Sequence, residues 1–159
     1  MHPTKNDLPL ETRQTLSRLL NDRLADLIDL QLQAKQAHWN VKGPHFIALH
    51  ELFDSVSEEV TEFIDTVAER IVALGGTAEG TLQVVGQRSS LPPYSTSLTN
   101  GRDHVDALST AMSVAGKSIR ATIDQATELG DANTADLFTG ISRELDKKLW
   151  FVEAHLQGT

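Results

Sequence analysis

Five side chains able to bind a metal stand where no rule of folding asks for them: His38, the pair His50 and Asp54, and the pair Asp65 and Glu69. Each pair has i,i+4 spacing, so its members stack on one face of a helix. Asp54 and Asp65 are 11 residues apart, which on a helix is three turns plus about 20°, so all four side chains share one stripe. Along the axis the same two residues are separated by about 16 Å. One ion cannot span that gap within one chain. The pattern becomes a site only if a second copy of the helix lies antiparallel across a two-fold axis. His50 and Asp54 of one copy would then face Asp65 and Glu69 of the other, and symmetry would make two such sites.

The composition limits the chemistry further. The 159 residues include no cysteine, which removes disulfides and thiolate ligands and points to the cytoplasm. A metal here would be held by imidazole and carboxylate, a donor set that suits iron, zinc or manganese. The formal charge of −8 argues against broad adhesion to DNA or anionic membranes and suits the attraction of cations. No apolar run reaches membrane-spanning length, and the segment from Met1 to Glu11 has no apolar signal core. With 23% charged and 40% hydrophobic residues the chain reads as one globular domain over 1–159, long enough to bury a core.

Four helices must position the candidate ligands. Helix A is expected from about Glu11 to Trp39, with Leu16, Leu20, Leu27 and Ala34 on one stripe that His38 continues. The turn Asn40-Val41-Lys42-Gly43 ends it, and Pro44 suits the first position of the next helix. Helix B is expected from Pro44 to Leu74, with a core stripe of Leu49, Phe53, Val56, Val60, Phe63, Val67, Ile71 and Leu74, and Gly75-Gly76 stops it. Helix C runs from about Arg102 to Leu129. Helix D runs from about Thr134 to Leu156, with Asn133 as N-cap.

Residues 1–10 form an N-terminal tail, and residues 75–101 form a long connection between B and C that carries Pro92-Pro93 and little periodicity. A segment of that length can return along the bundle and set B parallel to C, with a short helix expected around residues 81–85. The predicted fold is all-α, a ferritin-like four-helix bundle with one long crossover.

On a wheel with His50 at the origin, Asp54 falls near about 40°, Asp65 near about 60° and Glu69 near about 100°, whereas the apolar stripe centres near about 280°. The candidate ligands therefore point away from the bundle core. The alternative is a solvated acidic face, with His38 a satisfied core histidine. His38 at a turn that folds A back onto B, taken with the other four, favours the metal reading. No Glu-x-x-His occurs, which argues against a di-iron site inside the bundle and leaves a site between subunits.

The stretch Lys35-Gln36-Ala37-His38-Trp39-Asn40-Val41-Lys42-Gly43-Pro44-His45-Phe46 resembles the helix A–B junction of the Dps family, the bacterial mini-ferritins. His50-Glu51-Leu52-Phe53-Asp54 and Asp65-Thr66-Val67-Ala68-Glu69-Arg70 match its ferroxidase motif without gaps. Gly130-Asp131-Ala132-Asn133-Thr134-Ala135-Asp136-Leu137-Phe138, running on to Leu149-Trp150-Phe151-Val152-Glu153, is a third match. The resemblance covers residues 6–156. It implies a homododecamer of two-fold dimers with ferroxidase sites shared across each dimer interface. Fe(II) would bind to His38, His50, Asp54, Asp65 and Glu69, hydrogen peroxide would oxidise it in preference to dioxygen, and Fe(III) mineral would collect in the cavity. Zinc or another divalent metal could substitute at such a site. Trp39 is suited to taking up a stray oxidising equivalent, or equally to packing at the interface.

The resemblance also marks Asp131 and Asp136 as lining a three-fold pore. Helix-dipole complementarity at the start of helix D is the alternative. Gly140 stands where some relatives carry a third acid, so the pore is expected to be less acidic than theirs. His45 reads as a surface residue, Glu62 as a solvated glutamate at the rim of the stripe, and His2, His104 and His155 show no partner pattern. DNA-binding members usually use a mobile Lys/Arg-rich tail. Here the segment from Met1 to Gln14 offers only Lys5 and Arg13 against Asp7 and Glu11, and the C-terminal end Gln157-Gly158-Thr159 adds no basic side chain. Weak or absent DNA binding is therefore expected. A nucleoid-associated protein that covers DNA physically is the alternative function, and a helical scaffold whose metal site has been lost is a third.

Overall fold

The structure is a computed structural model and describes residues 1–157. Gly158 and Thr159, part of the C-terminal end considered above, lie outside the described residues. Five α-helices follow one another: α1 (Leu10–Asn40), α2 (Phe46–Ala73), α3 (Leu82–Arg88), α4 (Gly101–Glu128) and α5 (Ala132–Glu153), the last running into a 3-10 turn at Ala154–Leu156. The four long helices form the ferritin-like bundle, and the described residues contain no strand. α1 packs most extensively on α2 and α4 on α5, with α1 also against α4.

The apolar stripes read from the sequence are the core. Leu16, Leu20, Leu27 and Ala34 of α1 are buried, as are all eight of Leu49, Phe53, Val56, Val60, Phe63, Val67, Ile71 and Leu74. They meet Val105, Leu108, Met112 and Ile119 of α4 and Phe138, Ile141 and Leu145 of α5 in one cluster.

The long connection is ordered because α1 supplies polar side chains to hold it. Asn21 Nδ2 donates to the Thr77 carbonyl (3.0 Å), and Asn21 Oδ1 accepts from the Glu79 N–H (2.9 Å). Buried Asp26 accepts from the Ser90 N–H (2.7 Å) and hydroxyl (3.0 Å) and pairs with Arg23 (3.3 Å). Asp29 accepts from the Ser89 hydroxyl (2.6 Å), and Gln33 Nε2 donates to the Pro92 carbonyl (3.1 Å). A connection without regular structure must satisfy its backbone groups individually, and α1 does this. The segment ends with Lys42 paired to Asn100 in an isolated parallel bridge. That bridge brings the start of α4 beside the start of α2, so the two helices run parallel.

Gly75 and Gly76 end α2 for two reasons. Gly75 has φ +85°, a left-handed conformation that L side chains rarely adopt. A Cβ on Gly76 would lie 2.6 Å from Ser17 Oγ and 2.9 Å from Ile71 Cγ2. The segment before α1 folds onto this corner: the His2 N–H donates to the Gly75 carbonyl (2.6 Å), and Arg13 donates to the carbonyls of Leu8 (3.0 Å) and Leu74 (3.1 Å).

Three local expectations are corrected. α2 begins at Phe46 with His45 at its N-cap, so Pro44 sits in the preceding turn rather than in the first helical position. The short helix extends over Leu82–Arg88 rather than ending near Val85. The N-cap of α5 is Asp131, not Asn133. Asp131 Oδ1 accepts from the Thr134 N–H (3.2 Å) and its carboxylate also takes the Thr134 hydroxyl. Arg70 Nη2, reaching across from α2, lies 2.8 and 2.7 Å from the two carboxylate oxygens. The cap position belongs to the side chain that can also answer the partly buried guanidinium.

Burial raises the Asp131 pKa, but the Thr134 and Arg70 hydrogen bonds outweigh it and hold the carboxyl below its ordinary value. A depressed native pKa makes the stabilisation full above the unfolded value, near about 4, and lost as pH falls through the native value. Asp131→Ala is expected to destabilise the fold by about 3 kcal/mol, since it strands Arg70. Asp131→Asn is expected to do less harm, because its amide oxygen still caps Thr134. Urea unfolding of the variants at neutral pH measures both, and the gap between wild type and Asp131→Ala should narrow below pH about 4.

Candidate metal centre

Two helix ends make the site. The last turn of α1 carries His38, and the first turns of α2 carry His50 and Asp54. The two imidazoles stack with centroids 3.7 Å apart and planes 21° from parallel. Each ring bonds the other residue's backbone: His38 Nδ1 lies 2.7 Å from the His50 carbonyl, and His50 Nδ1 lies 2.8 Å from the His38 carbonyl. A carbonyl oxygen can only accept, so both Nδ1 atoms carry the proton. In the neutral rings Nε2 is then the lone-pair nitrogen, the tautomer a metal requires. The reciprocal lock orients both rings before any ion arrives.

Asp54 lies beside them, with Oδ1 4.0 Å from His38 Nδ1. Its partner within the chain is Lys35, whose Nζ stands 2.6 Å from Oδ1. The Lys35 hydrogen bond, against the opposing effect of burial and with help from the charges of His38, Lys35 and His50, holds the Asp54 carboxyl below its ordinary value. Asp54 is thus poised as an anion, with an ammonium standing where a cation can stand. Lys35 was missed in the sequence, although it lies one helical turn before His38, where i,i+3 spacing brings it onto the same face.

The remaining candidates lie further along α2. Asp65 and Glu69 are exposed on the same outward stripe, and Glu62 is exposed beside them. Among the described residues, no group of three His, Cys, Asp or Glu side chains is close enough to hold an ion within one chain. The structure stacks His38 on His50 with Asp54 beside them, short of a group that could hold an ion, and leaves Asp65 and Glu69 further along α2. Around the histidines is a rim of large apolar groups in water: Trp39 is 65% exposed, and Phe46 and Ile47 are exposed as well. The Phe46 ring lies 5.1 Å from that of His50, and Lys35 Nζ lies 5.9 Å from the Trp39 ring.

The other singled-out residues fall as follows. Asp131 is buried and committed to Arg70 and Thr134, whereas Asp136 is exposed on α5. His45 is exposed, and His155 bonds the Phe151 carbonyl (2.9 Å). His104, for which the sequence suggested no partner, is buried with its Nδ1 2.7 Å from the Tyr94 hydroxyl. That contact joins the crossover to α4, and no local spacing announces it.

The sequence matches the family described as Ferritin-like domain over residues 17–159. It is 51% identical over 156 residues to the DNA protection during starvation protein of Agrobacterium fabrum, with 98% of this chain and 96% of that protein covered. The fold superposes on Mycobacterium smegmatis Dps with a TM-score of 0.94 at 33% identity, covering 100% of this chain and 96% of that one. It also matches the Dps protein of Vibrio cholerae, described as a member of a broad superfamily of ferritin-like diiron-carboxylate proteins, with a TM-score of 0.92 at 26% identity over 99% of this chain and 98% of that one. A bundle with one long crossover, a histidine pair locked at the α1–α2 junction and carboxylates on the outer face of α2 all agree with these likenesses: the chain belongs to the Dps family of ferritin-like proteins.

Proposed function

We propose that this protein binds Fe(II) as its substrate at sites shared between two-fold related chains, oxidises it preferentially with hydrogen peroxide, and stores the Fe(III) mineral inside a hollow dodecamer. The observation that carries this reading is the reciprocal His38–His50 lock, which presents two Nε2 lone pairs beside an ionised Asp54. Asp65 and Glu69 of an antiparallel partner would complete the set. The exposed Trp39, Phe46 and Ile47 beside the histidines give that partner an apolar surface to cover. The relatives' names support iron and oxidative chemistry by analogy, the Vibrio cholerae protein being described as a ferritin-like diiron-carboxylate protein.

The donor set suits the chemistry. Carboxylates favour Fe(III) over Fe(II), and imidazole adds affinity for Fe(II). Two Fe(II) and one hydrogen peroxide, with two protons, give two Fe(III) and two waters, a paired two-electron route that forms no hydroxyl radical, whereas a single Fe(II) meeting peroxide does. Lys35 must leave Asp54 as the cation arrives, which keeps the charge of the site nearly constant in both states. Asp136, exposed on α5, is the carboxylate best placed to draw iron through a three-fold pore. Asp131 would act there chiefly by fixing the start of α5.

DNA cover is the second reading, favoured by the relatives' name. Against it stand the formal charge of −8 per chain and an Arg13 that lies in the first turn of α1, bound to the carbonyls of Leu8 and Leu74. A stable duplex complex needs roughly 6–10 cation–phosphate contacts. Lys5 is the one other Lys or Arg side chain between Met1 and Gln14.

Four experiments test these statements. Light scattering at neutral pH should give a particle near twelve times the 17.4 kDa chain, and a monomer with full iron-oxidising activity would overturn the shared site. Asp54→Ala should assemble normally, because Asp54 lies off the core, yet slow peroxide-driven Fe(III) formation by at least about tenfold. Mixing His50→Ala/Asp54→Ala chains with Asp65→Ala/Glu69→Ala chains should restore part of that rate, since one site of each mixed dimer keeps all its ligands. Gel shifts with plasmid DNA at about 150 mM salt and without added metal should show no retarded complex at sub-micromolar cage. Binding under those conditions would instead support DNA cover.

A further inference from the structure

Tyr94 is the only tyrosine of the chain, and its hydroxyl makes a 2.7 Å hydrogen bond to His104 Nδ1. The two rings stack at 6.0 Å and 20°. His104 is buried. Its Nε2 is also buried and has no hydrogen-bond partner, and burial holds the ring below its ordinary pKa against the opposing effect of the Leu98 and Asn40 carbonyls. With the proton of the neutral ring on Nε2, Nδ1 accepts and the Tyr94 hydroxyl donates. The position is close behind the candidate metal ligands. The Phe53 ring, next in sequence to Asp54, has its centroid 6.4 Å from that of His104, and Asn40 is two residues from His38.

A neutral buried imidazole on a phenol has a chemical consequence. A phenol that loses an electron becomes a strong acid and must shed its proton, so an acceptor already in hydrogen-bond contact makes the oxidation easier. Resting on the reading of the protein as an iron oxidase, we propose that Tyr94 and His104 form a proton-coupled electron donor. The pair quenches oxidising radicals that escape when Fe(II) meets hydrogen peroxide.

The steps balance. A hydroxyl radical takes one electron from Tyr94 and becomes hydroxide, which solvent protonates to water. The phenolic proton moves to His104 Nδ1, leaving a neutral tyrosyl radical beside an imidazolium. A further Fe(II) then gives one electron to the radical and becomes Fe(III), and the proton returns from Nδ1 to the phenolate oxygen. The net change is hydroxyl radical, Fe(II) and a proton to water and Fe(III). Burial pushes the free phenol well above its ordinary pKa and the imidazole below its own, so the resting pair is neutral on both sides at physiological pH. Trp39, exposed to water, makes no such hydrogen bond among the described residues and is the less protected donor.

The test uses two oxidants on the intact assembly. Flash photolysis of a ruthenium polypyridyl complex with a sacrificial electron acceptor oxidises metal-free protein without iron chemistry. Freeze-quench electron paramagnetic resonance after Fe(II) and hydrogen peroxide examines the iron reaction. Both should give a tyrosyl signal in wild type and none in Tyr94→Phe. In His104→Gln the radical should form on the order of a hundredfold more slowly, the low end of what a positioned base supplies, and should lose the slowing in D2O that wild type shows. A merely structural tie would move neither the rate nor the isotope effect, once circular dichroism shows the variant folded. Failure of the tyrosyl signal under light, or an unchanged His104→Gln rate, overturns the pair. Fe(III) formation with a tyrosyl signal under light only overturns its role in iron chemistry. A signal under light with no Fe(III) from peroxide leaves the pair standing and overturns the proposed function instead.

Discussion

The reciprocal bonds between His38 and His50 are the constraint on which the site depends. Each ring closes on the other residue's carbonyl, so the end of α1 and the start of α2 are tied by the same side chains that could bind a metal. Such a tie does three things at once. It sets the angle at which the chain turns between two long helices. It assigns the tautomer, because carbonyls demand a proton on Nδ1. It leaves Nε2 of each ring outside the tie, as the nitrogen with the lone pair. Orientation of imidazole ligands by backbone carbonyls is the usual supporting device of metal sites, and here the support is mutual.

Charge is handled by the same economy. Asp54 would be an unpaired carboxylate facing a partly buried pair of rings, and Lys35 answers it from the preceding turn of α1. Elsewhere the buried acids are tied to structure. Asp131 is capped into α5 and held by Arg70, and Asp26 spends its oxygens on Ser90 and Arg23. The acids left free, Asp65, Glu69, Glu62 and Asp136, lie on outer surfaces. That division separates acids that fold the chain from acids available to a cation.

The crossover shows how a long irregular segment becomes a fixed part of a bundle. α1 carries Asn21, Asp26, Asp29 and Gln33 where an ideal amphipathic helix would carry apolar residues, and each meets a backbone or hydroxyl group of the connection. Once pinned, the segment delivers Tyr94 to His104 and Asn100 to Lys42, and so closes the wall behind the candidate ligands.

The sequence determined what depends on helical period. The apolar stripes of α1 and α2, the stop at Gly75-Gly76 and the outward stripe of His50, Asp54, Asp65 and Glu69 were all legible, because a side chain's face on a helix follows from its number alone. The expectation of a second copy followed from the rise per residue. What the sequence could not supply were contacts between residues far apart in the chain. Lys35 on Asp54 spans 19 positions, Tyr94 on His104 links a segment without period to a helix, and Arg70 on Asp131 spans 61. Asn133 was as good a cap as Asp131 by residue type, and only the guanidinium arriving from α2 made the choice. Such pairings are set by how helices pack and where an irregular segment is pinned. Those are properties of three-dimensional closure, and no local spacing encodes them.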